Sequence, residues 1–438
     1  MDLKSCLQGK QKVQLVAACS REALRMIYTV ASTMSWNIQA MDIMSAFLQG
    51  NKMERVVYVK PPKEVRQEGM VWKLKRCLYG LVDAPRAWYN RVTEEMTKLG
   101  GTRSLYDKCL FLWHNNSSLV GMIITHVDDF EYCGTDDWKR NTIGKLKSIF
   151  KVSRDEKETF RFIGVEVRQD TTGVYVNQNK YCSELEEIEI DKQRKLQTNK
   201  PLDECEKKEL KTASGKLLWA ISQTRPDIAF QGCQVSNAGN TATIKTLIDA
   251  NKAIRKTRTD QLEIVYPNLG NPFNMKVVVY ADGSHGALPS GNSQGAGIVF
   301  LSGGGRSAPI AWKSKKIDLV TRSPLATEVL AVADGADMGH LVGSMTKEIF
   351  NLKEMPQIEV RTDSKSLKDH LETDRVIKDP RNRIDTARLR QMREKKEIEV
   401  IWVPGTENLA DCLTKKAAAS DKLKKALTNG VLPGVCQN

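Results

Sequence analysis

The stretch Leu119-Val-Gly-Met-Ile-Ile-Thr-His-Val-Asp-Asp-Phe130 is an apolar, β-branched run that ends in two adjacent acids, Asp128 and Asp129. The run predicts a buried strand, and Phe130-Glu-Tyr132 predicts the strand that returns beside it, with the two acids forming the tight turn. A single Asp at a turn has an ordinary structural explanation. Two adjacent carboxylates repel each other unless water, a lysine or a metal ion neutralises them, so the pair is a candidate metal site.

The strand-like segment 37–43 carries a third acid, Asp42. If this strand neighbours the hairpin of Asp128 and Asp129 in one sheet, the three carboxylates meet. Oxygen ligands without His or Cys suit a hard cation, so we expect Mg²⁺, with Mn²⁺ as the alternative. Two such ions about 4 Å apart activate a hydroxyl and stabilise a leaving pyrophosphate, which is the chemistry of a polymerase.

Helical patterns flank these strands. Ser20 is a candidate N-cap for a helix that runs past Val30, and Asp83 with Pro85 predicts the start of a second helix, which Gly100-Gly101 ends. Further elements are predicted as a strand at 109–113, short strands at 55–60 and 71–75, an amphipathic helical segment at 138–150, and a hairpin that pairs 160–167 with 173–178. The pattern favours an antiparallel sheet with helices.

Residues 189–260 are lysine-rich and favour helices. One predicted helix is strongly basic through Lys245, Lys252, Arg255, Lys256 and Arg258. The chain has 67 Lys and Arg against 53 Asp and Glu, a formal net charge of +14, which indicates a polyanionic partner such as nucleic acid. The alternative interpretation is a solvated basic surface without a partner.

The last third returns to strands. Its elements are predicted as strands at 262–266, 276–282, 297–301 and 308–312, a helix at 323–340, a strand at 357–363, helices at 364–371 and 382–394, a strand at 398–403, and a final helix from about Glu407. This order predicts a mixed sheet covered by helices. The predicted domains are 1–188, 189–260 and 261–425, followed by a tail at 426–438.

Four acids of this last domain occupy positions where a carboxylate is costly. Asp282 and Asp363 each end an apolar strand, and Glu328 and Asp411 lie among apolar residues of predicted helices. Each acid alone is most simply solvent-facing. Four of them in one domain favour a shared metal site.

Ten cysteines are scattered without a Cys-x-x-Cys pair or a zinc-like Cys/His spacing, which is typical of reduced thiols rather than a disulfide framework. No apolar stretch approaches the roughly 20 residues that span a bilayer, and no signal peptide is visible. We therefore expect an intracellular protein that is neither secreted nor bound in a membrane.

Several motifs closely resemble the polyprotein of copia-type retrotransposons, in the order found in that family from about residue 20 onward. They are Met41-Asp-Ile-Met-Ser-Ala-Phe-Leu-Gln-Gly50, Val57-Tyr-Val-Lys-Pro-Pro62, Trp72-Lys-Leu-Lys-Arg-Cys-Leu-Tyr-Gly-Leu-Val-Asp-Ala-Pro-Arg-Ala-Trp-Tyr89, His126-Val-Asp-Asp129, Thr224-Arg-Pro-Asp-Ile-Ala-Phe230, Trp312-Lys-Ser-Lys-Lys316, Thr362-Asp-Ser-Lys-Ser366 and Leu409-Ala-Asp-Cys-Leu-Thr-Lys-Lys416.

The resemblance implies a reverse transcriptase palm in 1–188, a thumb and connection in 189–260 and a ribonuclease H-like domain after it. It implies metal binding and catalysis by Asp42, Asp128 and Asp129 in the palm and by Asp282, Glu328, Asp363 and Asp411 in the nuclease. Phe162, Ile163 and Gly164 resemble the hairpin that grips the primer. The implied partners are an RNA template, a DNA primer, an RNA–DNA hybrid and deoxynucleoside triphosphates, in a cytoplasmic particle or the nucleus; a dimer and a polyprotein context both fit.

The chain also departs from the family pattern. About twenty residues precede the first helix, where the family has a fingers segment with basic side chains, and Lys10 and Lys12 match no pattern. His126 stands where an aromatic residue is common, Glu131 where an apolar one is expected, and 404–408 lacks a histidine that assists product release. We therefore expect a C-terminal piece of a larger polyprotein or of a decayed element. The alternatives are an inactive remnant that only binds nucleic acid, and a nuclease without polymerase activity.

Overall fold

The computed structural model describes residues 18–53, 55–288, 290–373, 380–416 and 418–434. Lys10 and Lys12 lie outside these residues. The chain divides into two compact units, the first made of Met1–Ser20 and Gln39–Lys157 and the second of Arg21–Ile38 and Glu158–Asn438. The boundaries expected from the sequence at 188, 260 and 425 stay predictions.

The strands of the first unit are β1 (Gln39–Ile43), β2 (Tyr58–Val59), β3 (Trp72–Lys73), β4 (Thr102–Arg103), β5 (Leu110–Asn115), β6 (Ser118–His126), β7 (Asp129–Gly134) and β8 (Val152–Lys157). The strands of the second unit are β9 (Thr159–Phe162), β10 (Val165–Asp170), β11 (Gly173–Asn177), β12 (Glu263–Pro267), β13 (Lys276–Ser284), β14 (Gln294–Gly303), β15 (Arg306–Lys316), β16 (Ile358–Thr362) and β17 (Ile398–Trp402).

The helices are α1 (Arg21–Thr33), α2 (Ala46–Gln49), α3 (Ala84–Lys98), α4 (Asp136–Trp138), α5 (Gly144–Ile149), α6 (Asn179–Ser183), α7 (Lys192–Leu196), α8 (Glu204–Gln223), α9 (Ala229–Asn237), α10 (Ile244–Thr259), α11 (Pro324–Phe350), α12 (Lys365–Glu372), α13 (Pro380–Glu394) and α14 (Asp421–Asn429). A π-helical turn, Lys139–Ile143, joins α4 to α5. The strands predicted at 55–60 and 71–75 are shorter in the structure: β2 and β3 have two residues each and pair with each other.

The first unit is built on an antiparallel sheet in the order β4-β5-β6-β7-β1-β8. Asn116 and Ser117 both have positive φ, which gives the β5–β6 connection the tight turn that suits a twisted hairpin. One face of the sheet packs on α3 and on the segment around α5 through a core that includes Trp88, Phe130 and Phe150. The opposite face is buried as well, through Leu110, Met122 and Ile124.

A second antiparallel sheet, in the order β12-β11-β10-β9, belongs to the second unit. The single strand predicted at 160–167 is wrong, because Ile163 and Gly164 adopt positive φ and turn the chain between β9 and β10. Residues 262–266, expected with the strands of the last third, instead form β12 beside β11. Strand periodicity does not encode which neighbour a strand will pair with.

A buried ion pair fixes the helices that follow this sheet. The Nε and Nη2 atoms of Arg225 each donate a 2.8 Å hydrogen bond to the Asp227 carboxylate. Its Nη1 atom donates to the Thr257 carbonyl in α10. Arg225 and Asp227 are each 1% exposed. A buried charge is tolerated where it is paired and hydrogen-bonded, which is the case here.

The third sheet has the order β15-β14-β13-β16-β17, with β15, β14 and β13 antiparallel and β13, β16 and β17 parallel. The predicted mixed sheet is confirmed. Helix α11 packs closely on it, since a Cβ at Gly339 would lie 2.8 Å from Val279 and 3.0 Å from Ile358. The predicted helix from about Glu407 is wrong: two short 3₁₀ turns, Gly405–Glu407 and Asp411–Leu413, precede α14.

Eight cysteines in the described part of the chain are free thiols, and only Cys205 among them is exposed, as expected for reduced buried cysteines. Within that same part, no helix has the length and apolarity that a membrane crossing requires.

Candidate active sites

The first candidate site lies at the end of the β6–β7 hairpin. Asp42 in β1 and Asp129 in β7 are direct partners in the antiparallel register, and Asp129 faces His126 across the hairpin. The predicted turn shifts by one residue, since Val127 and Asp128 form it and Asp129 opens β7. The Asp128 carbonyl accepts a 2.9 Å hydrogen bond from the Ile43 backbone, so the turn is bound to β1.

The carboxyls of this site influence one another. Burial, then the charges of Asp128 and Asp42, raise the pKa of Asp129 to about 6. Burial also raises the pKa of Asp128, with Asp42 adding to the effect and His126 opposing it. These shifts are expected when acids crowd together away from water, and a bound cation would relieve them.

Other side chains border the same three acids. Ser153 in β8 donates through its hydroxyl to the Asp42 carboxylate. Tyr79 is 52% exposed, and its pKa is raised by burial and then by the charges of Asp128 and Asp42, which places its hydroxyl in their field. The Tyr79 ring lies against Phe47 with ring centroids 4.7 Å apart. The acids therefore stand beside an aromatic pair.

Two departures noted in the sequence also fall on this sheet. The Nδ1 atom of His126 lies 3.9 Å from the Cys19 sulfur. Glu131 is fully buried, opposite Ala40 in β1 and Ile124 in β6, on the strand that Asp129 opens. The extra acid is thus inside the unit rather than at the surface of the site.

The second candidate site lies where β13, β16 and α11 meet. Because β13 and β16 are parallel and paired, Asp282 near the end of β13 and Asp363 directly after β16 reach the same edge of the sheet. Glu328 joins them from α11, which approaches so closely that a Cβ on Gly283 would lie 2.7 Å from the Thr327 carbonyl. Ligand oxygens of Asp282, Glu328 and Asp363 all lie within 4.8 Å of one another.

The environment of these acids suits a cation. Burial, then Asp282 and Asp363, raise the pKa of Glu328 to about 8, and burial raises the pKa of Asp282 to about 6. The Glu328 Oε2 atom is buried without a hydrogen-bond partner. An orphaned carboxylate oxygen among three converging acids fits a hard divalent ion such as Mg²⁺ or Mn²⁺. Asp363 is oriented by the Asn408 amide, which donates to it at 3.3 Å.

Asp411, the fourth predicted ligand, is not part of that group. It begins a 3₁₀ turn, and its carboxylate pairs with the Lys415 ammonium. Lys415 also lies 3.4 Å from the Asp282 carboxylate, and the Thr414 hydroxyl donates to the same carboxylate. Burial disfavours the charged lysine, yet Asp282 and Asp411 outweigh it and raise the pKa of Lys415.

Among the described residues, the set of Asp282, Glu328 and Asp363 is the one group of at least three acids, histidines or cysteines whose ligand atoms come this close together. Asp42, Asp128 and Asp129 are neighbours in the first unit but do not reach that spacing.

The predicted nucleic-acid helix is α10, and its basic side chains have acidic or polar partners within the second unit. Lys245 and Lys252 pair with Asp249, Arg255 and Arg258 pair with Glu187, and Lys256 lies 3.5 Å from the Ser420 hydroxyl. The charge of this helix is therefore partly compensated. Its role in binding nucleic acid stays a prediction.

The predicted primer-contacting residues form the β9–β10 turn. Phe162 is buried, and a Cβ on Gly164 would lie 3.1 Å from the Trp219 ring, so the turn packs against α8. The Gly164 carbonyl accepts a hydrogen bond from the Gln178 amide at 3.3 Å. Their role at a primer stays a prediction.

The sequence does not predict five residues that lie beside the acids: Tyr79, Ser153, Asn408, Thr414 and Lys415. A signal existed for Lys415, because it follows Asp411 by four residues, the spacing of a side-chain ion pair on a helical turn. No signal in one sequence ties Tyr79 to Asp42.

Comparison with known proteins places these sites in context. Residues 13–199 match the family described as reverse transcriptase (RNA-dependent DNA polymerase). The chain is 27% identical over 346 residues to the retrovirus-related Pol polyprotein from transposon RE1 of Arabidopsis thaliana, covering 75% of this chain and 23% of that protein. It is 25% identical over 427 residues to the polyprotein from transposon TNT 1-94 of Nicotiana tabacum, covering 90% and 31% respectively. The chain thus spans less than a third of these relatives.

A solved structure is also similar. The foamy viral protease-reverse transcriptase dRH, in complex with double-stranded DNA, matches with a TM-score of 0.51 at 15% identity, covering 87% of this chain and 59% of that chain. At this identity the likeness concerns the fold alone. The observed sheets confirm the predicted fold class, antiparallel sheets with helices followed by a mixed sheet covered by helices.

Proposed function

We propose that the chain copies RNA into DNA and cleaves the RNA strand of RNA–DNA hybrids, because residues 13–199 match the reverse transcriptase family and the chain is similar to Pol polyproteins of plant transposons. The convergence of Asp282, Glu328 and Asp363 from three separate elements is the observation that carries the nuclease half. The partners in this proposal are an RNA template, a DNA primer, the hybrid and deoxynucleoside triphosphates.

In the polymerase half, Asp42, Asp128 and Asp129 would hold Mg²⁺, and Mn²⁺ would serve the same role. A divalent ion bound by such oxygens activates a hydroxyl or a water and neutralises charge on the phosphate. Ser153 donates to Asp42 and orients its carboxylate. Phe47 and Tyr79 offer an apolar wall beside the acids, against which a nucleotide can lie.

In the nuclease half, Asp282, Glu328 and Asp363 would hold the ion. Asn408 and Thr414 orient Asp363 and Asp282 through hydrogen bonds. The Gly283 backbone N–H interacts with the Glu328 carboxylate and favours its charged form, while burial of that carboxylate makes it depend on a cation. Asp411 stands at the side of this group, next to Lys415.

A nuclease without polymerase activity is the second candidate function. The spacing of the acids favours it. In the described part of the chain, Asp282, Glu328 and Asp363 are the one group of three whose ligand atoms all lie within 4.8 Å of one another, and the acids of the first site are not spaced so closely.

One assay tests both halves. The purified chain is given a primed RNA template, all four deoxynucleotides and Mg²⁺, and separately a labelled RNA–DNA hybrid. Asp128→Asn should abolish extension alone, and Asp363→Asn should abolish hybrid cleavage alone. Exposed acids of each unit provide matched controls: Asp137→Asn, whose side chain is 83% exposed, and Asp337→Asn, which pairs with Arg388. Salt-sensitive binding with neither activity would refute the enzyme and leave a binding remnant.

A further inference from the structure

The Lys415 side chain lies within the proposed nuclease site without being one of its predicted ligands. Its ammonium is 3.4 Å from Asp282 and in contact with Asp411. The backbone N–H of Lys415 also donates to the Asp411 carbonyl at 3.1 Å, so the 3₁₀ turn that carries Asp411 positions the Lys415 backbone. The fold thus fixes the backbone of Lys415, and the carboxylates of Asp282 and Asp411 hold its ammonium.

An ordinary surface ion pair does not explain this contact. Surface pairs are weak because both charges are already solvated. Asp282, however, is fully buried, whereas the Lys415 side chain is 41% exposed. The lysine therefore reaches inward from the rim to a carboxylate that water does not solvate. That carboxylate needs a positive charge nearby, or it remains unstable as an anion.

The same contact accounts for the place of Asp411. Its carboxylate points to Lys415 and does not share the 4.8 Å spacing of Asp282, Glu328 and Asp363. Four acids thus divide into a group of three, which can hold an ion, and a fourth acid neutralised by a lysine.

We propose that the Lys415 ammonium is a resident counter-ion that occupies one cation position of the nuclease site, between Asp282 and Asp411, and competes there with a divalent ion. This inference rests on the proposed nuclease function. Lys415 acts through the two carboxylates and is a positioning residue. Without substrate, the nuclease site binds one divalent ion at the group of three, apart from any ion held by Asp42, Asp128 and Asp129, and a second ion in the nuclease site requires Lys415 to leave Asp282 and Asp411.

The test counts ions on the full chain with Mn²⁺ alone, by isothermal titration calorimetry and electron paramagnetic resonance, without nucleic acid. Lys415→Met should add a second bound ion, or lower the Mn²⁺ dissociation constant on the order of tenfold, because a charge next to the ligands is removed. Lys416→Met is the matched control, since the neighbouring Lys416 is 64% exposed and pairs with Asp249. An unchanged ion count and dissociation constant in Lys415→Met, relative to Lys416→Met, would overturn the proposal.

Two further measurements keep the result interpretable. Lys415→Met should lower the melting temperature of the metal-free chain and show a larger rise on adding Mn²⁺ than wild type, whereas Lys415→Arg, which keeps the charge, should match wild type. If Mn²⁺ raises the melting temperature of Lys415→Met by no more than that of wild type, the proposal is contradicted. Asp282→Asn separates the two hypotheses: if wild type binds Mn²⁺ no better than Asp282→Asn, the proposed nuclease site itself fails. If Asp282→Asn lowers the number of bound Mn²⁺ ions by one and Lys415→Met changes nothing, only the counter-ion proposal fails.

Discussion

The indole Nε1 of Trp88 donates a 2.5 Å hydrogen bond to the carbonyl of Val127. Val127 has a φ of 59°, a left-handed conformation that is costly for a β-branched residue, and it directly precedes Asp128. Trp88 is buried in the core of the first unit. A core residue of α3 therefore holds the strained turn that presents the acid pair.

Replacing Trp88 by Phe should remove this donor while keeping an aromatic ring in the core. We expect DNA synthesis to fall at least tenfold, because the turn loses a restraint, and the free energy of unfolding to fall by ~1–3 kcal/mol as the Val127 carbonyl loses its partner. Primer extension and urea unfolding measure the two effects. Trp113→Phe is the control, since Trp113 donates to the Leu99 carbonyl away from the acids. Equal losses of synthesis in both variants would contradict the prediction.

The buried pair of Arg225 and Asp227 should be essential for stability. Asp227→Asn leaves the guanidinium buried without its carboxylate, and we expect a loss of about 3–5 kcal/mol in the free energy of unfolding. Urea unfolding of the chain measures it. Glu204→Gln removes an exposed acid that pairs with Lys207 and should change stability by less than about 1 kcal/mol. A comparably small effect of Asp227→Asn would show that the pair is dispensable.

Stability of the metal-free chain should fall as pH rises. The folded-state pKa of Glu328 is raised from 4.5 to about 8 and that of Asp282 from 3.8 to about 6. Between the unfolded-state and folded-state pKa of each group, the folded chain therefore binds more protons than the unfolded chain. The free energy of unfolding decreases as pH rises through that range, up to about pH 8 for Glu328. Urea unfolding in a chelator at acid and alkaline pH tests the sign. The decrease should shrink in Glu328→Gln, and a stability that rises with pH would refute the assignment.

Glu187 should restrain the basic helix α10. It pairs with Arg255 and Arg258, so Glu187→Gln should free both arginines and strengthen binding to RNA–DNA hybrid. We expect a steeper salt dependence, with a slope more negative by up to about 2, if both arginines then contact phosphates. Fluorescence anisotropy at several salt concentrations measures it. Glu186→Gln removes the same charge from the adjacent residue, and an equal effect there would point to net charge alone.

Local signals predicted much of the fold. The positions of α1, α3, β5, β6 and β7 follow from apolar periodicity and from Gly and Pro at their ends, and these elements carry Asp128 and Asp129. The turn at Ile163 and Gly164 is not predicted from the sequence, because β-branched and aromatic residues on both sides of Gly164 favour a strand throughout 160–167. The sequence does not predict that β12 pairs with β11, because strand pairing depends on partners distant in the chain.

The sequence predicts which acids belong to the candidate sites but not how close together they lie. All seven acids were selected from strand ends and apolar surroundings, and the structure brings Asp282, Glu328 and Asp363 together. The separation of Asp411 from them depends on where one lysine side chain points, and the field around Tyr79 depends on tertiary packing. Neither property is encoded in a short stretch of sequence.

Helix α1 has a consequence for how this chain can be divided. It belongs to the second unit, where the Arg25 guanidinium lies 3.3 Å from the Trp312 ring centre and donates to the Ile310 carbonyl of β15. In sequence, however, it lies between the two segments of the first unit. A single break near residue 157 therefore cannot release an intact second unit. Recombination at that point would place a foreign helix against β15, so the two units are expected to be inherited together.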